Sequence, residues 1–359
     1  DGTEKNKKDA SKYYKMAADK GNLEGMIKFA NMLYIGDGIS KIIYLASYYY
    51  FQAAEKGDLE SIIKYAEIKY KGDEISKQKP IAAKYYQKAA EKGDIKSMIK
   101  YANMNYHGNG IDINKEIAAR YYKMAADEGC IKAINKYAHI LFNGNGIDID
   151  KKSAVDYFKM ATDKGDKHAT GMYAYTLEHG DGINVDKDEA IKYYKIAKSL
   201  GDVDSMFNYS LMLLNNNLSK DEAIRYLNLA IKKGCTNAMH KYASMLFKGD
   251  VIEKNIEKAI ILYKNAADKG NKNAMNDYAS ILYKGDGIPV DKQKAADYYK
   301  MSADKGNIQA MLKFSFMLID GDGIKSDNSL AEKYLKIAAS KGNILAMNKL
   351  DTIIFNKEE

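Results

Sequence analysis

The residue types that could carry chemistry are His107, His139, His168, His179, His240, Cys130 and Cys235, and none of them is spaced for it. A catalytic zinc site commonly uses His-Glu-x-x-His, which puts two imidazoles on one helix face; that spacing is absent, and no cysteine pair stands near to complete a ligand set. The sequence therefore predicts no metal site. Six Gly-x-Gly turns (Gly36/Gly38, Gly108/Gly110, Gly144/Gly146, Gly180/Gly182, Gly285/Gly287 and Gly321/Gly323) look superficially like phosphate cradles. They lack a following Gly-Lys-Ser and a preceding strand, so turn geometry is the reading adopted. The run Asp181–Asp188 misses the alternating carboxylates and closing Glu of a calcium loop, and its Asp186 suits a helix cap instead. Serine and histidine occur without a nucleophile elbow. Asp-Lys and Glu-Lys pairs recur throughout the chain, which marks them as architecture. The expectation is a chain with no catalytic residue and no cofactor.

The elements that hold these residues follow from composition. Of 359 residues, 46% are apolar and 29% charged, with 27 Gly, 2 Pro and no Trp, a mixture suited to short helices joined by glycine turns. Two cysteines are too few for a disulfide framework, which points to a reducing compartment such as the cytoplasm. No apolar run reaches the roughly 18 residues a membrane-spanning helix needs. The net charge of +8 comes from 56 basic and 48 acidic residues, and only Arg120 and Arg225 are arginine. Base and phosphate readout favours the guanidinium fork, so this lysine-dominated mixture reads as a solvated helical surface and no nucleic-acid partner is expected.

Periodicity decides the fold. A glycine closes a similar segment at Gly21, Gly57, Gly93, Gly129, Gly165, Gly201, Gly234, Gly270, Gly306 and Gly342, a spacing of 36 residues with one interval of 33 between Gly201 and Gly234. A fixed period of this size signals stacked supersecondary units. Within one unit, residues 94–106 carry apolar side chains at helical spacing, a Gly-x-Gly turn follows, and a second helix opens at Asn114 and stops at Gly129. Second-helix caps are expected at Asn6, Asn114, Asp150, Asp186, Ser219, Asn255, Asp291 and Asp327. Small residues (Ala30, Ala66, Ala102, Ala138, Ala174, Ser210, Ala243, Ala279 and Ser315) mark where helices approach closest.

At these residues the chain resembles the Sel-one-like repeat, a relative of the tetratricopeptide repeat. The pattern A-M-x-x-Y-A-x-x-L-Y-x-G-D-G-I stands at Ala274–Ile288, and D-x-x-x-A-A-x-Y-Y-K-x-S-A-D-K-G at Asp291–Gly306. The family's Trp of the second helix is Tyr here, at Tyr85, Tyr121, Tyr157, Tyr193 and Tyr298, a change expected to alter packing detail but not the fold. The resemblance implies an all-α, right-handed superhelical solenoid of nine to ten antiparallel hairpins over residues 1–359, shortened near 202–234, with a concave groove. It also implies a scaffold or adaptor for other proteins and not an enzyme. Two alternatives stand beside it: a permanent component of a large assembly such as a cytoskeletal one, and a regulatory region whose catalytic domain lies elsewhere. Gly2 lies 19 residues before Gly21, as Gly38 lies before Gly57, so the register predicts a start midway through a hairpin, a finish after a lone first helix near Phe355, and further repeats or a domain upstream of Asp1.

Partner contacts are expected on the first helices. Counting from the preceding glycine at 100° per residue, positions 4, 5, 8, 9, 11 and 12 form the packed arc, while 3, 6, 7, 10, 13 and 14 face away. Position 7 is a lysine ladder (Lys28, Lys64, Lys100, Lys136, Lys241, Lys313 and Lys349) that could attract an acidic segment. Phe207 with Leu211, and Leu312 with Phe316, place large apolar side chains one turn apart on the outward arc. Ile42, Ile43, Tyr44 and Tyr48 belong to a helix apolar nearly all round and without an Asp or Asn cap, which predicts cover by another chain or domain. In the 33-residue copy Asn215, Asn216 and Asn217 replace the Gly-x-Gly turn, a change expected to alter local curvature.

Overall fold

The computed structural model describes residues 4–72 and 76–350; Gly2 and Phe355, on which the expected ends of the register rest, lie outside them. Among the described residues every regular element is α-helical. The second helices of the hairpins are α1 (Glu4–Asp19), α3 (Ile43–Glu55), α5 (Lys79–Glu91), α7 (Lys115–Asp127), α9 (Lys151–Asp163), α11 (Lys187–Ser199), α13 (Lys220–Lys232), α15 (Ile256–Asp268), α17 (Lys292–Asp304) and α19 (Asn328–Ser340). Between them run the first helices α2 (Leu23–Ile35), α4 (Leu59–Lys71), α6 (Ile95–His107), α8 (Ile131–Asn143), α10 (Lys167–His179), α12 (Val203–Asn215), α14 (Thr236–Lys248), α16 (Lys272–Lys284) and α18 (Ile308–Asp320). The chain is an all-α solenoid of about ten repeats, divided into two compact units, residues 1–196 and 197–359. In the first unit each helix from α1 to α10 packs on the next in sequence; in the second the same holds from α12 to α19.

Most helices begin where a side chain can accept from their first-turn N–H groups. Asn114 Oδ1 accepts from the Ile117 N–H, Asp186 Oδ1 from Glu189 and Asp291 Oδ1 from Lys294, each at 2.9 Å. Asn6 departs from the expected pattern: it lies inside α1, which starts at Glu4. Ile42 and Gln78 cap without a side-chain bond. First helices are capped likewise by Asp58, Asp94, Asp166 and Asp202. Cys130 and Cys235, read from sequence as neighbours of a turn, are the corresponding N-caps of α8 and α14 and make no side-chain capping bond. Cys130→Asp is therefore expected to stabilise the protein by about 1 kcal/mol by supplying the missing acceptor at a helix N-terminus, seen as a higher urea midpoint.

The packed arc lies where helical geometry puts it. Ala30, Ala66, Ala102, Ala138 and Ala174 in the first unit, and Ser210, Ala243, Ala279 and Ser315 in the second, have no exposure, so neighbouring helices meet at these small side chains. In most copies position 8 is an aromatic whose ring meets the second-helix Tyr edge to face, at 4.6 Å for Tyr65–Tyr85, 4.8 Å for Tyr101–Tyr121 and 4.9 Å for Tyr278–Tyr298.

That tyrosine does something a Trp could not do in the same way. Its hydroxyl donates to a carboxylate at the end of the preceding second helix, 30 residues back: Tyr49 to Asp19 at 2.7 Å, Tyr85 to Glu55 at 2.8 Å, Tyr121 to Glu91 at 3.3 Å and Tyr298 to Asp268 at 2.7 Å. A second latch at the same separation joins the start of one second helix to the next Gly-x-Gly turn, as in Lys7–Asp37 at 2.7 Å and Lys151–Asp181 and Lys292–Asp322 at 2.5 Å. Both latches tie adjacent hairpins together.

Candidate functional site

The arc facing away from the core contains the sequence-predicted contacts, and the structure sorts them. Lys28, Lys100 and Lys136 are exposed, whereas Lys64 is half-buried. Several ladder lysines lean back over an aromatic ring of the preceding hairpin: Lys64 over Tyr34 at 5.8 Å, Lys100 over Tyr70 at 5.5 Å and Lys349 over Phe316 at 5.9 Å. The ladder is thus an alternation of ammonium groups and ring faces, which sequence reasoning missed because the partners stand 30 or more residues apart.

Of the four apolar candidates, Phe207 and Leu211 are half-buried and Phe207 packs against the core of the second unit. Leu312 does not face outward: it is 3% exposed and belongs to that core. Phe316, one turn on, is 36% exposed. Ile43 does not stand on the outer face of α3. It is 1% exposed, and Tyr49 and Tyr50 are buried beside it, so the solenoid itself covers most of the helix. Ile42 is half-buried at the cap, and only Tyr44 and Tyr48 stand out, 68% and 53% exposed and one turn apart.

Phe316 lines a cleft of about 250 Å³ between α16 and α18, with Tyr283, Lys284, Tyr299, Lys313 and Asp320. Burial draws the Lys313 ammonium below its ordinary pKa, with Asp277 pulling the other way. At the rim Tyr283 donates to Asp322 Oδ2 and Lys292 donates to Asp322 Oδ1, both at 2.5 Å, and these bonds hold the Asp322 carboxyl below the usual carboxylate range. An aromatic floor flanked by two ammonium groups and two carboxylates suits an apolar side chain on a segment that also carries charge.

Three of the histidines have local partners. His240 Nε2 sits 2.8 Å from Asp277 Oδ2, His179 stacks on Tyr175 at 4.1 Å, and His139 meets the Phe158 ring edge-on at 5.0 Å. Among the described residues no group of three His, Cys, Asp or Glu could hold a metal ion, and no helix is long and apolar enough to cross a membrane. Burial, then the charges of Lys136 and His168, push His139 below its ordinary pKa against the pull of Asp166. The unfolded chain then binds the proton more readily than the folded one, so stability is lost as pH falls through about 6.5. A urea midpoint that drops between pH 7 and pH 5 in the wild type, and drops less in His139→Gln, is the expected result.

A search of curated protein sequences returns no match. Among solved structures the chain is similar to a protective antigen of uropathogenic Escherichia coli displaying an SLR fold, at 20% identity and TM-score 0.59, covering 96% of this chain and 75% of that one. It is similar to a Sel1 repeat protein from Oxalobacter formigenes at 21% identity and TM-score 0.56, covering 85% and 89%. It is also similar to yeast Tom70 at 13% identity and TM-score 0.53, covering 98% and 92%. These likenesses establish the fold. The Sel1 repeat model matches residues 1–22, 23–58, 59–94, 95–130, 131–166, 168–202, 203–235, 236–271, 272–307 and 308–343. With its latched hairpins, small-residue seams and ten successive matches, the chain belongs to the Sel1 repeat family.

Proposed function

We propose that this chain is a non-catalytic docking scaffold whose first-helix faces hold extended or helical segments of other proteins, with acidic side chains on the lysines of the ladder and, in the second unit, an apolar side chain in the Phe316 cleft. The observation that carries the reading is the cleft itself: Phe316 keeps a large ring at the surface beside Lys313 and Lys284, where a purely structural helix face needs neither. The exposed Lys28, Lys100 and Lys136 extend positive charge along the same kind of face in the first unit. Crosslinking mass spectrometry on native extract tests it. A partner crosslinked to the wild type and lost with Phe316→Asp supports the reading, and an unchanged set of crosslinks across that variant and Lys28→Glu with Lys100→Glu overturns it.

A second reading, a permanent part of a large assembly, is favoured by Tyr44 and Tyr48 on α3 together with Tyr13 and Met16 on α1, all of them exposed. It predicts co-fractionation with that assembly, abolished by Tyr44→Lys with Tyr48→Lys.

A further inference from the structure

The latch between tyrosine and carboxylate is missing at two hairpins of the second unit: on α15 Leu262 takes the tyrosine's place, and on α13 Tyr226 is kept but a set of cations replaces its carboxylate. The two arginines of the chain, Arg120 and Arg225, stand at equivalent places, each just before the latch tyrosine and each close to its ring, at 5.2 Å from Tyr121 and 5.1 Å from Tyr226. Around Arg120 the surroundings are acidic: Tyr121 donates to Glu91, and Asp127 and Glu128 end α7. Around Arg225 every one of these carboxylates is changed. Ser199 stands where Glu91 stands, Lys232 and Lys233 stand for Asp127 and Glu128, and Lys198 replaces the neutral Ala90. Across these five positions one cation with three carboxylates has become four cations with none, while Lys123, which pairs with Asp127, has become the neutral Asn228.

These cations converge. Lys198 Nζ lies 2.7 Å and Arg225 Nη2 3.0 Å from the Tyr226 hydroxyl oxygen, and Lys198 also sits 4.7 Å from the ring centre. Lys198, Arg225, Tyr226, Asn228, Lys232 and Lys233 line one cleft of about 640 Å³ whose walls carry no carboxylate. Glu222, which lies on α13 close enough to act on Arg225, faces Tyr209 and receives its hydroxyl at 3.4 Å. The phenol registers the field: burial alone would push Tyr226 up, but the hydrogen bonds from Lys198 and Arg225 outweigh it and bring the group below its ordinary value, whereas Tyr121 and Tyr298 are pushed up.

Four like charges gathered in a cleft whose lining has no carboxylate, with Glu222 the one acidic group acting on Arg225 from outside it, cost stability, and a bound dianion relieves that cost. We propose that this cleft is a binding site for phosphate groups, with the Arg225 fork and the Lys198 ammonium on two oxygens, Lys232 and Lys233 at the rim, and the Tyr226 hydroxyl turned to donate. The guanidinium matches the geometry of a phosphate, and the number of cations suits an anion of charge two or more over a single carboxylate.

The test is calorimetric titration of the full chain with inorganic phosphate and with pyrophosphate at fixed ionic strength. Saturable binding, tighter for pyrophosphate, is expected. Arg225→Gln weakens it about tenfold or more, as loss of a charge-assisted pair implies, and Lys232→Gln with Lys233→Gln weakens it as well. Arg120→Gln leaves it unchanged. A phosphoserine peptide run beside inorganic phosphate tells whether the group is carried on a protein or free. No saturable phosphate binding, or equal affinity in the wild type and in both cleft variants, overturns the proposal.

Discussion

Gly182→Ala is expected to cost about 2–5 kcal/mol, while Gly165→Ala in the same unit costs only about 1–2. Both glycines have positive φ, +84° and +81°, where an L-residue is strained by about 1–2 kcal/mol. Only Gly182 also lies against a neighbour. A methyl group there collides with the carbonyl carbon and oxygen of Lys151 and comes within 2.8 Å of the Lys152 nitrogen, all of them backbone that cannot rotate aside, whereas nothing lies within 4 Å of Gly165. Overpacking of this kind adds about 1–3 kcal/mol. It also strains the adjacent Lys151–Asp181 ion pair. Urea unfolding of the two variants measures the difference directly, and equal midpoints would show that the turn does not press on the hairpin before it.

The second large effect separates stability from docking. Leu312→Asp is expected to unfold the second unit, because it removes about 1.5–3 kcal/mol of apolar burial and places an unpaired carboxylate in the core at a cost of several more. Phe316→Asp, four residues on and 36% exposed, is expected to lose about 1 kcal/mol or less, within the range of surface substitutions, and to keep its helical circular dichroism. Partner loss in the Phe316 variant with the fold intact is then a docking effect. A Leu312→Asp protein that stays folded with the wild-type midpoint would contradict the placement of that side chain.

The contrast between these neighbours shows where reading along the chain stops. On a helical wheel positions 6 and 10 are 40° apart and both face outward, since the wheel knows only angle. Position 6 lies at the border of the packed arc, half-buried as Ile27, Ile63 or Phe207 and fully buried as Leu312. How far the next hairpin overhangs that border is a property of the stack. The same holds for Ile43, covered by its neighbours in spite of sitting in a helix apolar on most sides.

From the order of residues alone came the hairpin, its period, its capping pattern and the small-residue seam, because each rests on interactions within a few turns of helix or on a repeat visible as spacing. The Tyr–carboxylate and Lys–Asp latches, the cleft at Phe316 and the gathering of Lys198, Arg225, Lys232 and Lys233 needed three dimensions. Their partners belong to different helices, and the distance between two helices is set by how whole faces pack, which no single segment encodes.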